Sequence, residues 1–134
     1  MKTLLIVDDN PSTIWITRLS LGNKYHYIEA YNVPSAILEL RRNQDIDLII
    51  SDLNMPEFSG IDLVRHVRKT DYNIPIIILT TSEDIVRKNE AIKEGATAWI
   101  NKPFQIAEFR SLVKDLSNWV NESENEKNIM ELAG

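Results

Sequence analysis

The stretch Leu48-Ile49-Ile50-Ser51-Asp52-Leu53-Asn54-Met55-Pro56-Glu57-Phe58-Ser59-Gly60 decides the fold. Three consecutive apolar residues run through a serine into a carboxylate, and a proline and a glycine close the loop behind it. An apolar run without alternation suits a strand buried on both faces, the habit of central strands in parallel sheets. The same order recurs elsewhere in the chain. Leu4, Leu5, Ile6 and Val7 run into Asp8-Asp9, Ile76–Leu79 run into Thr80, and Trp99-Ile100 run through Asn101 into Lys102. The carboxyl ends of the strands in an open parallel sheet share one edge, and ligands bind there. Three carboxylates, a hydroxyl and an ammonium, far apart in sequence, are therefore expected to meet in one cleft.

Between the apolar runs lie stretches of helical period, which reads as repeated βαβ units and an α/β fold. The first strand is expected over about Thr3–Val7. Asn10-Pro11-Ser12 opens a helix, with proline at its first position, and Gly22-Asn23 stops it after Leu21. A second strand covers about Tyr25–Ala30, and Asn32-Val33-Pro34 opens a helix ending near Arg42. The third strand is about Asp47–Ser51, followed by a loop broken by Pro56 and Gly60. A helix over Ile61–Lys69, a strand over Ile76–Leu79 and a helix from Glu83 to Glu94 follow, the last stopped by Gly95. A fifth strand over Ala98–Asn101 and a final helix over Gln105–Val120 complete the pattern. From Asn121 the text turns to NESENEKNIMELAG. It reads as a frayed polar tail or as the start of a linker or partner-binding segment. Residues 1–120 thus form one domain and 121–134 its tail.

A chain of 134 residues suits one domain. With 43% hydrophobic and 26% charged residues it is composed like a globular protein. Its formal net charge of −5 opposes nonspecific nucleic-acid binding, which rests on Lys and Arg neutralising phosphates. The chain has no cysteine, so disulfides, thiolate nucleophiles and cysteine-ligated metals are excluded and a reducing compartment is permitted. The apolar run after Lys2 stops at two aspartates without a small-residue cleavage site, unlike a signal peptide. No stretch is long enough to span a membrane.

Each residue of the expected cleft also has a plain structural reading. Asp8 and Asp9 are common residue types at strand ends and turns. Thr80 is a β-branched strand residue, and Lys102 fits a surface turn. Their combination is what carries chemistry. Two unit charges at about 4 Å repel by about 4 kcal/mol at an effective dielectric near 20. Three clustered carboxylates therefore need a cation, a proton or a lysine to coexist. Lys102 supplies one charge and a divalent metal the rest. Mg²⁺ takes oxygen ligands, typically one or two carboxylates with waters and phosphate. Pro56 and Gly60 tighten the loop so that the backbone carbonyl near Asn54 can point back at that metal. The residue before a proline is pushed toward extended geometry, and a cis Lys102-Pro103 bond would aim the lysine into the cleft. His26 and His66 lack metal-ligand spacing. Trp15 and Trp119 fall in helices, where core packing is the default. Trp99 lies three residues before Lys102, on a strand that borders the site.

VDD after the first strand, SDLNMP with Gly60 after the third, ILTT after the fourth and GATAWINKPF around the fifth stand in a familiar order. Over Met1 to Val120 the chain resembles the receiver domain of two-component response regulators, and among them the single-domain chemotaxis type. The resemblance implies a flavodoxin-like doubly wound five-stranded parallel sheet of order 2-1-3-4-5. It implies Asp52 as phosphoacceptor, and Asp8 and Asp9 as the acidic pair that holds Mg²⁺, Asp9 directly and Asp8 through water. It implies that the Asn54 carbonyl completes the metal site, that the Thr80 hydroxyl swings toward the phosphoryl group and that Lys102 pairs with a phosphoryl oxygen. Trp99 matches the aromatic that turns inward when Thr80 moves. Thr81 stands where the family more often has Ala, Gly or Ser, which bears on the dephosphorylation rate together with Asn54 and Ser82. Thr97-Ala98 replaces the acidic pair common in the transcription-factor branch.

The implied protein is cytoplasmic. It is a phosphoacceptor that assists its own phosphorylation and dephosphorylation rather than an enzyme. Its partners are a sensor histidine kinase and a downstream protein, a flagellar motor switch in the chemotaxis case, with neither nucleic acid nor membrane bound. Phosphoryl transfer requires mainly positioning and charge neutralisation, which this residue set offers. Three other readings use the same residues less well. A haloacid-dehalogenase-like phosphatase places its nucleophile on the first strand with a second acid two residues on, where this chain has Asn10. A non-phosphorylated interaction module does not need all five residues. A flavin carrier needs a Ser/Thr/Gly-rich phosphate loop after the first strand.

Overall fold

The structure, a computed structural model, describes residues 1–70, 72–81 and 83–118. Five parallel strands form one sheet: β1 (Thr3–Val7), β2 (His26–Ala30), β3 (Ile46–Asp52), β4 (Ile76–Thr81) and β5 (Ala98–Lys102), in the order β2-β1-β3-β4-β5. Helices α1 (Pro11–Leu21), α2 (Val33–Arg42), α3 (Gly60–Lys69) and α4 (Ile85–Glu94) connect them, and a fifth, α5, runs over residues 106–118. The flavodoxin-like expectation holds in strand number, direction and order.

The unbroken apolar runs are explained by two cores, one on each face of the sheet. Leu5, Val7, Ile49, Ile76 and Ile78 face α2, α3 and α4 through Ala36, Leu63, Val64, Val67 and Ala91. Their neighbours Leu4, Leu48, Ile50, Ile77 and Leu79 face Leu21, Phe109 and Val113 of α1 and α5. Successive strand residues point to opposite faces, so a strand covered on both sides must be apolar at every position. β2 lies at the sheet edge and is only partly buried up to Ala30, which is why its sequence is polar by comparison.

Helix starts follow the sequence closely. Asn10 and Asn32 accept hydrogen bonds from the backbone N–H groups of Ser12 and Ser35, with proline in the first turn of each helix. Ser59 and Asp62 form a reciprocal capping box at α3. The strands carrying the site run one or two residues further than the periodicity suggests. β3 includes Asp52, β4 includes Thr80 and Thr81, and β5 includes Lys102. α4 begins at Ile85 rather than Glu83.

Trp15 is not a core residue: it is 63% exposed. α1 instead buries Ile14, Thr17, Ser20 and Leu21. The Thr17 and Ser20 hydroxyls donate to the carbonyls of Thr13 and Ile16, one turn back. Their polar groups are thereby satisfied within the helix, so two hydroxyl residues can sit on the buried face while Trp15, Ile16 and Leu19 face outward. Trp119 and the tail 121–134 lie outside the described residues.

Candidate active site

Strand register assembles the site. Val7 is opposite Ser51, so Asp8 follows one chain step on beside Asp52. Asp52 is opposite Leu79, and Thr80 is the next residue along β4. Thr81 is opposite Lys102. Gly60 lets the loop after β3 fold back closely: its N–H donates to the Leu53 carbonyl at 2.9 Å. A Cβ at this position would lie 2.6 Å from the Asp52 carbonyl oxygen, so only glycine fits without moving the backbone of the site.

Lys102 Nζ donates to Asp52 Oδ1 at 2.8 Å and lies 3.6 Å from Asp8 Oδ2. Asp8 is 2% exposed. Its Oδ1 accepts a hydrogen bond from the Asn10 N–H at 2.9 Å, while its Oδ2 is buried without a hydrogen-bond donor. Burial raises the Asp8 carboxyl above its usual range. The Asn10 N–H partly opposes this, the Asp52 charge adds to it, Lys102 lowers it, and Asp9 raises it further. Asp9 itself is exposed. The Lys102-Pro103 peptide bond is cis.

Oxygen atoms of Asp8, Asp9 and Asp52 all lie within 4.8 Å of one another. At that spacing each carboxylate pair repels by roughly 3 kcal/mol at an effective dielectric near 20. One ammonium cannot offset three such charges, and the Asp8 oxygen without a donor marks where a second cation is wanted. A hard divalent ion with a preference for oxygen fits this donor set.

The other expected residues take separate places. Thr80 is 1% exposed, and its Oγ1 donates to the Thr81 carbonyl at 3.3 Å. Thr81 is exposed at the end of β4, and Ser82 lies outside the described residues. Trp99 is 43% exposed, its ring covered by Lys88, whose Nζ is 4.5 Å from the centroid. Thr97, at the position that departs from the transcription-factor branch, accepts the Ile76 N–H at 3.0 Å and secures the start of β4. His26 is exposed and His66 half-buried.

Three side chains near the cleft escaped the sequence reading: Asp84, Arg87 and Lys88. Arg87 and Asp84 both hydrogen-bond the Asn54 side chain. In the sequence they read as ordinary charges in the first turn of a solvated helix, and nothing local marks them. Two concavities lie elsewhere, at the opposite sheet edge around Lys2, Asp45 and Tyr72 and between α2 and α3 around Ile37 and Val67. Neither holds a comparable carboxylate cluster among the described residues.

Known proteins agree with this arrangement. The chain is 37% identical over 119 residues to histidine kinase P4 of Formosa agariphila, covering 86% of this chain and 8% of that protein. It is 36% identical over 104 residues to the cell cycle transcriptional regulator CtrA of Caulobacter vibrioides, covering 78% of this chain and 45% of CtrA. It therefore spans less than half the length of either curated relative. Among solved structures, the Vibrio cholerae chemotaxis protein CheY4 superposes with a TM-score of 0.78 at 31% identity, covering 87% of this chain and 98% of that one. The sequence pattern of the response regulator receiver domain matches residues 4–114, and with the sheet order and the aspartate–lysine cleft it places the chain in the response regulator receiver domain family.

Proposed function

We propose that Asp52 accepts a phosphoryl group from a phosphohistidine on a sensor histidine kinase, and that the added charge resets the surface formed by α4, β5 and α5. The observation that supports Asp52 over its neighbours is its direct hydrogen bond to Lys102 from the end of a central strand. Asp8 is buried and tied to the Asn10 amide, and Asp9 is exposed.

The carboxylate of Asp52 attacks phosphorus in line. The bond from phosphorus to the imidazole nitrogen breaks, its electron pair stays on the histidine, and a new P–O bond forms to Asp52. Lys102 moves from Asp52 Oδ1 to a phosphoryl oxygen and keeps the cleft neutralised. A magnesium ion bound by Asp8, Asp9, Asp52 and the Asn54 carbonyl would supply further positive charge to the phosphoryl oxygens. The Thr80 hydroxyl exchanges its contact with the Thr81 carbonyl for a phosphoryl oxygen. That move vacates space behind Thr80 for Trp99 to turn inward. The equilibrium shifts only as far as these contacts differ between the two states.

In this reading residues 1–120 are the phosphorylated domain and 121–134 a polar tail or the start of a linker. The protein assists its own phosphorylation and dephosphorylation and has no separate substrate to turn over. A cytoplasmic setting goes with it, and among the described residues no helix is long and apolar enough to cross a membrane. The likeness to a chemotaxis protein and the net charge of −5 support a protein target, such as a flagellar motor switch, over direct binding to nucleic acid.

Asp52→Asn tests the assignment. With acetyl phosphate and Mg²⁺, wild type takes up label and the variant takes up none. Wild-type-like labelling of the variant would move the chemistry to another residue.

A further inference from the structure

We propose that Arg87 is a positioning residue for phosphoryl chemistry at Asp52. Together with Asp84 it holds the Asn54 side chain on the solvent side of the cleft and so slows hydrolysis of phosphorylated Asp52. Both ends of the Asn54 amide are engaged. Arg87 Nη1 donates to Asn54 Oδ1, and Asn54 Nδ2 donates to Asp84 Oδ2 at 3.4 Å. Arg87 Nη1 and Asp84 Oδ2 are themselves 3.8 Å apart. The three side chains close a ring that ties the loop after β3 to the first turn of α4.

Asp84 supplies an independent sign that the ring is a built feature. It occupies the N-cap of α4 yet makes no side-chain capping bond. Asn10, Asn32 and Ser59 all use their side chains to cap α1, α2 and α3. Aspartate is among the best N-cap residues, so a carboxylate at this position that leaves the helix amides uncapped and instead meets Asn54 and Arg87 has other partners. Lys88, the residue after Arg87, covers the Trp99 ring. The first turn of α4 is thereby tied to the loop after β3 on one side and to β5 on the other.

The chemical consequence follows from the hydrolysis step. Water attacks phosphorus in line with the bond to Asp52 and forms a new P–O bond. The bond to Asp52 breaks with its electron pair returning to the carboxylate, inorganic phosphate leaves, and the proton lost by water passes to solvent. Asn54 stands two residues past Asp52. An amide held at both its oxygen and its nitrogen keeps one lone pair and one N–H but cannot turn them toward that water, and it stays across the approach. Removing Arg87 frees Asn54 Oδ1 to accept from the water and opens the approach. Both effects speed hydrolysis.

This inference rests on Asp52 being the phosphoacceptor. The test labels wild type, R87A, R87K, N54A and R87A/N54A with acetyl phosphate and Mg²⁺ and follows single-turnover loss of label. R87A is expected to lose phosphate about five-fold faster, the rate equivalent of one ordinary hydrogen bond. R87K retains a donor for Asn54 and a charge for Asp84, and restores most of the slow decay. In the N54A background R87A has no further effect, because its action passes through Asn54. Decay of R87A at the wild-type rate or slower, or an R87A effect undiminished in N54A, overturns the inference while the Asp52 reading stands. Wild type that takes up no label overturns both.

Discussion

At the scale of single residues, the site is a balance of charge set by burial. Asp8 shows it best. Its carboxyl is held above the usual range mainly by burial, so the folded chain binds that proton more tightly than the unfolded chain does. The linkage has a definite sign. Protonated Asp8 favours the fold below about pH 3.8, its unfolded value, and this contribution is lost as pH rises through the raised folded value. In metal-free protein at neutral pH, Asp8→Asn is therefore expected to melt above wild type. The advantage shrinks as pH falls toward the unfolded value. Adding Mg²⁺ is expected to raise the wild-type melting temperature at neutral pH by several degrees, the effect of about 1–2 kcal/mol on a domain of this size, and that of Asp8→Asn and Asp9→Ala much less. An equal Mg²⁺ response in all three proteins would place the metal outside this cluster. Thr81 carries a second residue-scale expectation. Exposed at the end of β4 opposite Lys102, its methyl and hydroxyl are expected to shield the line of attack on phosphorylated Asp52. Thr81→Ala should lose phosphate roughly two- to five-fold faster, less than 1 kcal/mol of barrier. Slower loss would mean that the hydroxyl orients water and that orientation outweighs shielding.

At the scale of elements, the proposed switch assigns β5 and α4 to the moving part and β3 to the fixed one. β3 is buried on both faces by two separate cores, and Gly60 pins the loop behind Asp52 against the strand. α4 by contrast leaves Ile85 and Val86 exposed and buries only Ala91. Elements with little buried apolar area are the ones that open first. Trp99 sits where these two regimes meet, half-exposed under the Lys88 ammonium. Beryllofluoride, a phosphoryl mimic, is expected to change tryptophan emission clearly in wild type and far less in Trp99→Phe. Trp15 projects from α1 into solvent and gives a steady background in both proteins. The same change in wild type and Trp99→Phe would show that β5 does not report the switch.

At the scale of the whole molecule, most of the fold was legible from the chain, and so was the meeting of Asp8, Asp9, Asp52 and Lys102 at one edge of the sheet. The strands appear as apolar runs because a central parallel strand has no solvent face. Helices α1 and α2 appear through their caps, Asn10 and Asn32, because a helix start must satisfy its own first amides from nearby side chains; the Ser59 cap of α3 came only with the structure. The residues at the strand ends follow, since a parallel sheet brings its carboxyl ends to one edge whatever the loops between them do. These features depend on contacts close in sequence or on a rule that holds for every sheet of this kind. What only the tertiary structure decided depends on contacts between distant residues. The apolar stripe of α1 was misread at Trp15 because Thr17 and Ser20 satisfy their own hydroxyls and can be buried. The shared reach of Lys102 to Asp52 and Asp8 rests on strand register across the sheet. The ring of Asn54, Asp84 and Arg87 joins side chains about thirty positions apart. Local pattern records which face of an element is apolar, but a charged side chain's partner is set by how the elements pack, and that packing is not written in any one stretch of the chain.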